Sequence, residues 1–277
     1  MQITVVGGDQ RSVYLTAAIN RRRSQDIATH VLQENTLHMH DAIAHADMVI
    51  LPANYMGGVV KGKAGIVQGL EVVKQMRNNG CLICGCCDPA LAELARTRNI
   101  QILELLKQPW FALANAQLTA EAAIIRAGSI SEQSLINHPC LVVGSGRIAQ
   151  ALLRLLRAYT PDVALCARST KARKEAQWAG YSTYVLTQGK QAFANRTFVF
   201  NTVPSRVIDP TWLQEMPEEG WMIELASVPY GVDPTAIPAN INYALESGLP
   251  GRVLPLAAAD IIYQTIFTDT KQEEEIG

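Results

Sequence analysis

Gly144-Ser145-Gly146-Arg147-Ile148-Ala149 is the stretch whose residue types and spacing bear most directly on chemistry. It fits the pattern G-x-G-x-x-G/A, follows the apolar run 140–143, and opens a segment in which Ala149, Leu152, Leu153 and Leu156 share one helical face. In that context Gly144 makes the turn, Gly146 lets the backbone approach a pyrophosphate, and Ala149 lets helix and strand pack closely. Ser145, Arg147 and Ile148 complete the turn, whose unpaired N–H groups suit an anion. The expectation is a bound dinucleotide; the alternative is a Rossmann-like fold without cofactor.

The end of the following strand selects the nucleotide. A carboxylate there would bind a ribose 2′-hydroxyl, but the chain reads Ala167-Arg168-Ser169, with Lys171 and Arg173 behind and no acid before Glu175. A guanidinium and a hydroxyl suit a 2′-phosphate, so NADP is expected over NAD. The alternative is that Arg168 is a solvated charge. Asn201-Thr202-Val203-Pro204-Ser205 ends a later strand on the same sheet edge; Asn201 and Ser205 either bond ribose or nicotinamide or simply close a strand before a proline turn. Glu224-Leu225-Ala226-Ser227 carries the same two readings, with Ala226 and Ser227 as cofactor candidates.

Cys81, Cys84, Cys86 and Cys87 form the other conspicuous cluster. A structural zinc site takes four well-spread ligands, usually as two separated pairs, and no second pair exists. No metal is expected, and the thiols read as reduced residues of a strand and its following loop. His38 and His40 read as solvated rather than as ligands.

These residues need elements to position them. Strand-like runs at 3–6, 27–32, 48–51, 81–84, 140–143, 163–166, 197–201, 222–225 and 241–244 alternate with helical segments at 13–19, 66–76, 89–96, 148–158 and 255–267. Either 100–103 or 111–114 supplies a further strand, and 54–65 reads as a loop. Residues 115–127 read as a long helix, with Thr119 a candidate cap and Glu121 near its positive end. The acidic stretch 271–277 reads as a frayed tail. The 277 residues suit about two domains. Only 18% of the residues are charged and the net charge is −1, which favours a large core and argues against nucleic acid as a partner. No apolar run reaches the roughly 18 residues of a membrane span, and the first residues lack a basic signal region, so a cytoplasmic chain is expected.

The motifs, taken in order, resemble the family of dipicolinate synthase A subunits. Gly7-Gly8-Asp9-Gln10-Arg11 resembles its G-G-D-x-R opening and Leu51-Pro52 its L-P strand end. Asn115, Thr119 and Glu121 fall on its N-x-x-x-T-x-E stretch. Gly144 to Arg147 matches its G-x-G-R turn, Asn201 to Ser205 its N-T-I-P-S, Leu225 to Ser227 its L-A-S, and Gly248-Leu249-Pro250-Gly251 its G-L-P-G loop. The chain departs at Leu256, where a lysine is usual, at Glu224 for Asp and at Tyr230 for Gly. The resemblance implies an α/β fold of two Rossmann-like doubly wound domains with an interdomain cleft. Residues 1–117 plus 253–277 would form the substrate domain and 118–252 the NADP domain. It implies NADP-dependent oxidation of 4-hydroxy-tetrahydrodipicolinate, or its dehydrated form, to dipicolinate during sporulation. A flavoprotein-like B subunit is the implied partner, and a homo-oligomer is expected. The alternatives are a related amino- or imino-acid dehydrogenase and a non-catalytic nucleotide-binding subunit.

A cyclic dicarboxylate calls for cationic forks. Arg11 leads, because it opens the first helix; Arg147 and Arg252 follow. Asp9 is either a site residue or a helix cap. Asn115 and Glu121 lie where the domains join, and Glu121 is a candidate acid/base or a plain helix-start carboxylate. The five histidines all precede residue 139, which argues against the late catalytic histidine of 2-hydroxyacid dehydrogenases.

Overall fold

The computed structural model describes residues 1–32 and 38–268; the stretch 271–277 lies outside them. The chain divides into two compact units, Met1–Asn115 with Pro250–Gly277, and Ala116–Leu249.

The first unit runs β1 (Gln2–Val6), α1 (Gln10–Arg22), β2 (Ile27–Val31), α2 (Met39–His45), β3 (Met48–Ile50), β4 (Val59–Gly62), β5 (Gly65–Gln68), α3 (Gly69–Gln75), β6 (Cys81–Cys84), α4 (Pro89–Thr97), β7 (Gln101–Glu104) and the start of α5 (Pro109–Ser131). Its main sheet has the order β2-β1-β3-β6-β7, parallel throughout. Alternate residues of β1 face opposite layers, as a strand's period of two requires. Ile3 and Val5 pack with Leu15 and Ile19, while Val6 joins Val49, Val72 and Leu91 on the other side. Each fully buried Ile, Leu or Val of this kind contributes about 1.5–3 kcal/mol.

Residues 54–65 are not simply a loop. Val59–Gly62 and Gly65–Gln68 pair antiparallel across a two-residue turn at Lys63-Ala64, with Val60 opposite Val67 and Gly62 opposite Gly65. The helix read from residue 66 therefore begins at Gly69, and residues 101–104, not 111–114, supply the strand. Residues 111–114 belong to α5, which starts at Pro109, a residue suited to the first helical position because it lacks an N–H. Thr119 is consequently mid-helix and buried rather than a cap.

The second unit runs β8 (Cys140–Val143), α6 (Arg147–Leu156), β9 (Val163–Cys166), α7 (Thr170–Trp178), β10 (Ser182–Tyr184), α8 (Gly189–Phe193), β11 (Phe198–Asn201), β12 (Trp221–Glu224) and β13 (Asn242–Leu245). The parallel sheet order is β10-β9-β8-β11-β12-β13. β8, β9 and β11 are buried at every position, as expected for parallel strands covered on both faces. Arg126 of α5 donates from Nε and Nη2 to the buried Glu246 Oε1 at 2.9 and 2.6 Å, tying that helix to the residue after β13.

The chain then enters α9 (Leu249–Val253), which contains Arg252, and α10 (Pro255–Phe267). α10 completes the first unit: Ala259, Ile262 and Ile266 join the cluster around Leu15 and Ile19. Arg22 pairs with Asp260 at 2.7 Å and lies over the Tyr263 ring.

Among the described residues no helix is long and apolar enough to cross a membrane.

Candidate functional site

Parallel open sheets bind ligands beyond the carboxyl ends of their strands, where the strand order reverses. The second unit reverses between β8 and β11, the first between β1 and β3. A cavity lies at each point.

The second unit's cavity has a volume of about 260 Å³. Gly144, Ser145 and Gly146 line it after β8, Ala167 and Arg168 after β9, and Thr202, Val203 and Pro204 after β11. Gly144 is at φ +114°, and a Cβ there would lie 2.3 Å from Thr202 Oγ1, so the turn admits no side chain. A Cβ at Gly146 would meet nothing within 4 Å, which leaves open space where a pyrophosphate would approach the start of α6. The lining residues include Arg168 and no Asp or Glu. The residues present therefore fit a dinucleotide.

Other sequence candidates stand elsewhere. Arg147 and Ile148 form the first turn of α6 outside the lining. Ser169 caps α7, its Oγ accepting from Ala172 N at 3.2 Å. Arg173 fixes the same loop, donating from Nη1 to Ala167 O at 2.5 Å and Arg168 O at 2.7 Å.

Asn201, read as a ribose or nicotinamide ligand or a strand end, is 0% exposed. Its Nδ2 donates to Val203 O at 3.1 Å and Glu224 Oε1 at 2.7 Å, and its Oδ1 accepts from Val203 N at 3.1 Å. It shapes the 201–203 corner and has no exposed atom to offer a ligand. Ser205 N donates to Val203 O at 2.9 Å. Ala226 N donates to Glu224 Oε1 at 2.9 Å, and Ser227 O accepts from Tyr230 N at 3.0 Å. Ser205, Ala226 and Ser227 do not line the cavity.

Glu224 organises this edge, a role the sequence did not assign to it. It is fully buried and accepts from Asn201 Nδ2, Ala226 N and, at 2.8 Å, Gly231 N. Burial pushes its carboxyl above the ordinary value, against the pull of these donors. The available signal was an acid closing the apolar strand Trp221-Met222-Ile223.

The first unit's cavity, about 400 Å³, lies at the β1/β3 reversal. Gly8 and Asp9 line it after β1, Pro52, Asn54 and Tyr55 after β3, and Val59, Val60 and Lys61 from β4. Of the five catalytic candidates, Asp9 alone lines it among the described residues.

Asp9 caps α1, accepting from Arg11 N at 3.0 Å, and its carboxylate also takes Arg11 Nε at 2.9 Å and Nη2 at 2.7 Å. Burial works to raise the Asp9 pKa, but the Arg11 hydrogen bonds and charge outweigh it and hold the carboxyl below its usual value. Arg11, with a side chain 9% exposed, lies under Gly251, where a Cβ would fall 2.6 Å from Arg11 Nε. Asn115 and Glu121 lie on α5, the first half-buried and the second exposed. Arg252 follows Gly251 in α9 and is exposed. Asn54, Tyr55 and Lys61 were missed because they fall in the stretch read as a loop.

Two thiols of the cysteine cluster are held protonated. Burial, then neighbouring Cys87 and Glu104, pushes the Cys84 thiol up to about 12, and burial leads in raising Cys87 to about 11. Such thiols stay protonated at neutral pH and are poor nucleophiles. Among the described residues no group of three or more His, Cys, Asp or Glu is arranged to hold a metal.

Residues 2–106 match the family model for the N-terminal domain of the dipicolinate synthase A subunit. The A subunit of dipicolinate synthase from Bacillus subtilis (strain 168) is 24% identical over 278 residues, covering 95% of this chain and 93% of that protein. The crystal structure of the dipicolinate synthase A subunit from Bacillus halodurans superposes with a TM-score of 0.81 at 23% identity, covering 96% of each chain. The transhydrogenase from Sinorhizobium meliloti superposes with a TM-score of 0.69 at 11% identity, covering 98% of this chain and 93% of that one. The chain is similar to the dipicolinate synthase A subunits, and its α/β fold with parallel sheets is shared with these solved structures.

Proposed function

We propose that this chain is a dipicolinate synthase A-type dehydrogenase subunit that uses NADP. It would oxidise 4-hydroxy-tetrahydrodipicolinate, or its dehydrated form, to dipicolinate in the cytoplasm of sporulating cells. The second unit takes the cofactor and the first unit the cyclic dicarboxylate. When bound, the nicotinamide supplies the hydride acceptor. Gly144, Ser145 and Gly146 hold the pyrophosphate, and Arg168 holds the 2′-phosphate. A flavoprotein-like B subunit is the proposed partner, and the chain works as a homo-oligomer.

The observation that carries this reading is the cavity at the β8/β11 reversal, with a glycine turn at one wall, Arg168 at another and no carboxylate between them. A charge-assisted hydrogen bond to a phosphate contributes about 1.5–3 kcal/mol. NADPH is therefore expected to bind roughly tenfold to hundredfold more tightly than NADH, and Arg168→Ala to remove most of that preference. Fluorescence titration of both nucleotides against both proteins tests this. Equal affinity of the parent for NADH and NADPH would refute the 2′-phosphate assignment.

A second reading, a nucleotide-binding subunit without its own catalysis, is favoured by Leu256. This residue is 59% exposed on α10 where the family usually carries a lysine. Turnover of the dihydrodipicolinate synthase product with NADP, with and without a flavoprotein partner, separates the two. Absence of dipicolinate in both arrangements would favour the second reading.

A further inference from the structure

We propose that the β1/β3 crevice of the first unit is a carboxylate-binding site in which Lys61 is the recognising cation and Arg11 is a positioning residue. This deepens the function proposed above and rests on it only for the identity of the ligand.

Three features converge. The first is position: the crevice lies where the strand order of the first sheet reverses, and its volume of about 400 Å³ falls within the roughly 300–1,000 Å³ of small-molecule sites. The second is charge. Asp9 and Arg11 neutralise each other through a bidentate pair, and Gly251 covers the guanidinium. Asn54 and Tyr55 are uncharged, and Tyr55 donates its hydroxyl to Asp88 Oδ2 at 3.4 Å. Lys61 forms no ion pair among the described residues, so it sets the sign of the crevice. A carboxylate is the complementary ligand, and Asn54 adds an amide donor for a second oxygen.

The third feature is that Lys61 is held in place. Gly8 N donates to Lys61 O at 2.7 Å, which pins β4 to the turn after β1. Gly7, at φ +60°, lets the hairpin approach, because a Cβ there would lie 2.6 Å from Lys61 O. Val60 is buried beneath, and the β4–β5 pairing holds the strand from the other side. Arg11 serves the same geometry by fixing Asp9, the wall facing the hairpin.

The test is calorimetric titration of the full chain, alone and with saturating NADPH, using pyridine-2,6-dicarboxylate and benzoate as probes. Parent, Lys61→Met and Lys61→Arg are compared, and NADPH affinity is measured separately for each. The expected result is at least a tenfold loss of dicarboxylate affinity in K61M and retention in K61R, with NADPH binding unchanged in both. Dicarboxylate binding that survives K61M overturns the role of Lys61 while leaving the proposed function standing. Lys61-dependent binding of benzoate with no preference for the dicarboxylate supports the site and overturns the dicarboxylate reading. Failure of the parent to bind either probe, with or without NADPH, overturns the site.

Discussion

Replacing Gly7 by alanine tests whether the hairpin is seated by the missing side chain. Two costs can be read from the structure. Gly7 sits at φ +60°, where an L-residue loses about 1–2 kcal/mol. The new Cβ would also stand 2.6 Å from Lys61 O and 2.9 Å from Val60 Cγ1, and the first of these is backbone, so β4 must move. Moving it breaks the Gly8 N to Lys61 O bond, worth about 0.5–1.5 kcal/mol net. The sum is about 1.5–3.5 kcal/mol against the docked hairpin. A chain of two units need not unfold in one step, so amide exchange at Gly8 and along β4 and β5 is the direct readout. Exchange there should speed up roughly 10- to 400-fold, with weaker carboxylate binding in the crevice. Gly58→Ala is the control. Gly58 also has positive φ, at +76°, but a Cβ there meets nothing within 4 Å, so it carries strain without collision. If G7A and G58A give the same exchange rates and the same dicarboxylate affinity, the steric seat is refuted.

Two further outcomes follow from the second unit. In Glu224→Gln the new amide group faces a buried backbone N–H, at a cost of about 1–3 kcal/mol. Because the folded pKa of Glu224 is raised above 4.5, the carboxyl's contribution is fully present below that pH and fades as pH rises through the folded value. Denaturant unfolding between pH 4.5 and 8 should show the gap between parent and E224Q narrowing as pH rises; a widening gap would mean that the three donors outweigh burial. Gly144→Ala places a Cβ 2.3 Å from Thr202 Oγ1, itself bonded to Val143 O at 2.9 Å. It should weaken NADPH binding at least tenfold while leaving carboxylate binding in the first unit intact, and unchanged NADPH titration would refute the role given to this turn.

The parts legible in the sequence were those where local pattern and burial agree. β8, the Gly144–Gly146 turn and α6 read directly, because an all-apolar strand, two glycines and the face Ala149, Leu152, Leu153 and Leu156 specify one arrangement. The β4–β5 hairpin was not legible: its strands are short, and Lys61 and Gly62 interrupt the apolar alternation. The start of α5 was hidden because Phe111 to Ala114 is a short apolar run that periodicity alone cannot assign.

Side-chain commitments were the other gap. The spacing that nominated Arg11 and Asn201 for ligands is also the spacing at which each bonds locally, Arg11 to the carboxylate two residues before and Asn201 to the backbone two residues after. Which partner such a residue takes depends on what covers it: Gly251 over Arg11, and Glu224 beside Asn201.

The return of α10 to the first unit also bears on how the chain matures during synthesis. Residues 116–249 emerge from the ribosome as one uninterrupted set and contain every strand of their own sheet. The first unit emerges in two instalments, because Leu15 and Ile19 wait for Ala259, Ile262 and Ile266 to cover them. At about 5–20 residues per second, translation from the end of α5 to the start of α10 takes roughly 6–25 seconds. For that interval the second unit is complete while the first carries an uncovered apolar layer. Newly made chains therefore complete their two units in a fixed order, and the one nearer the N-terminus is the second to be finished.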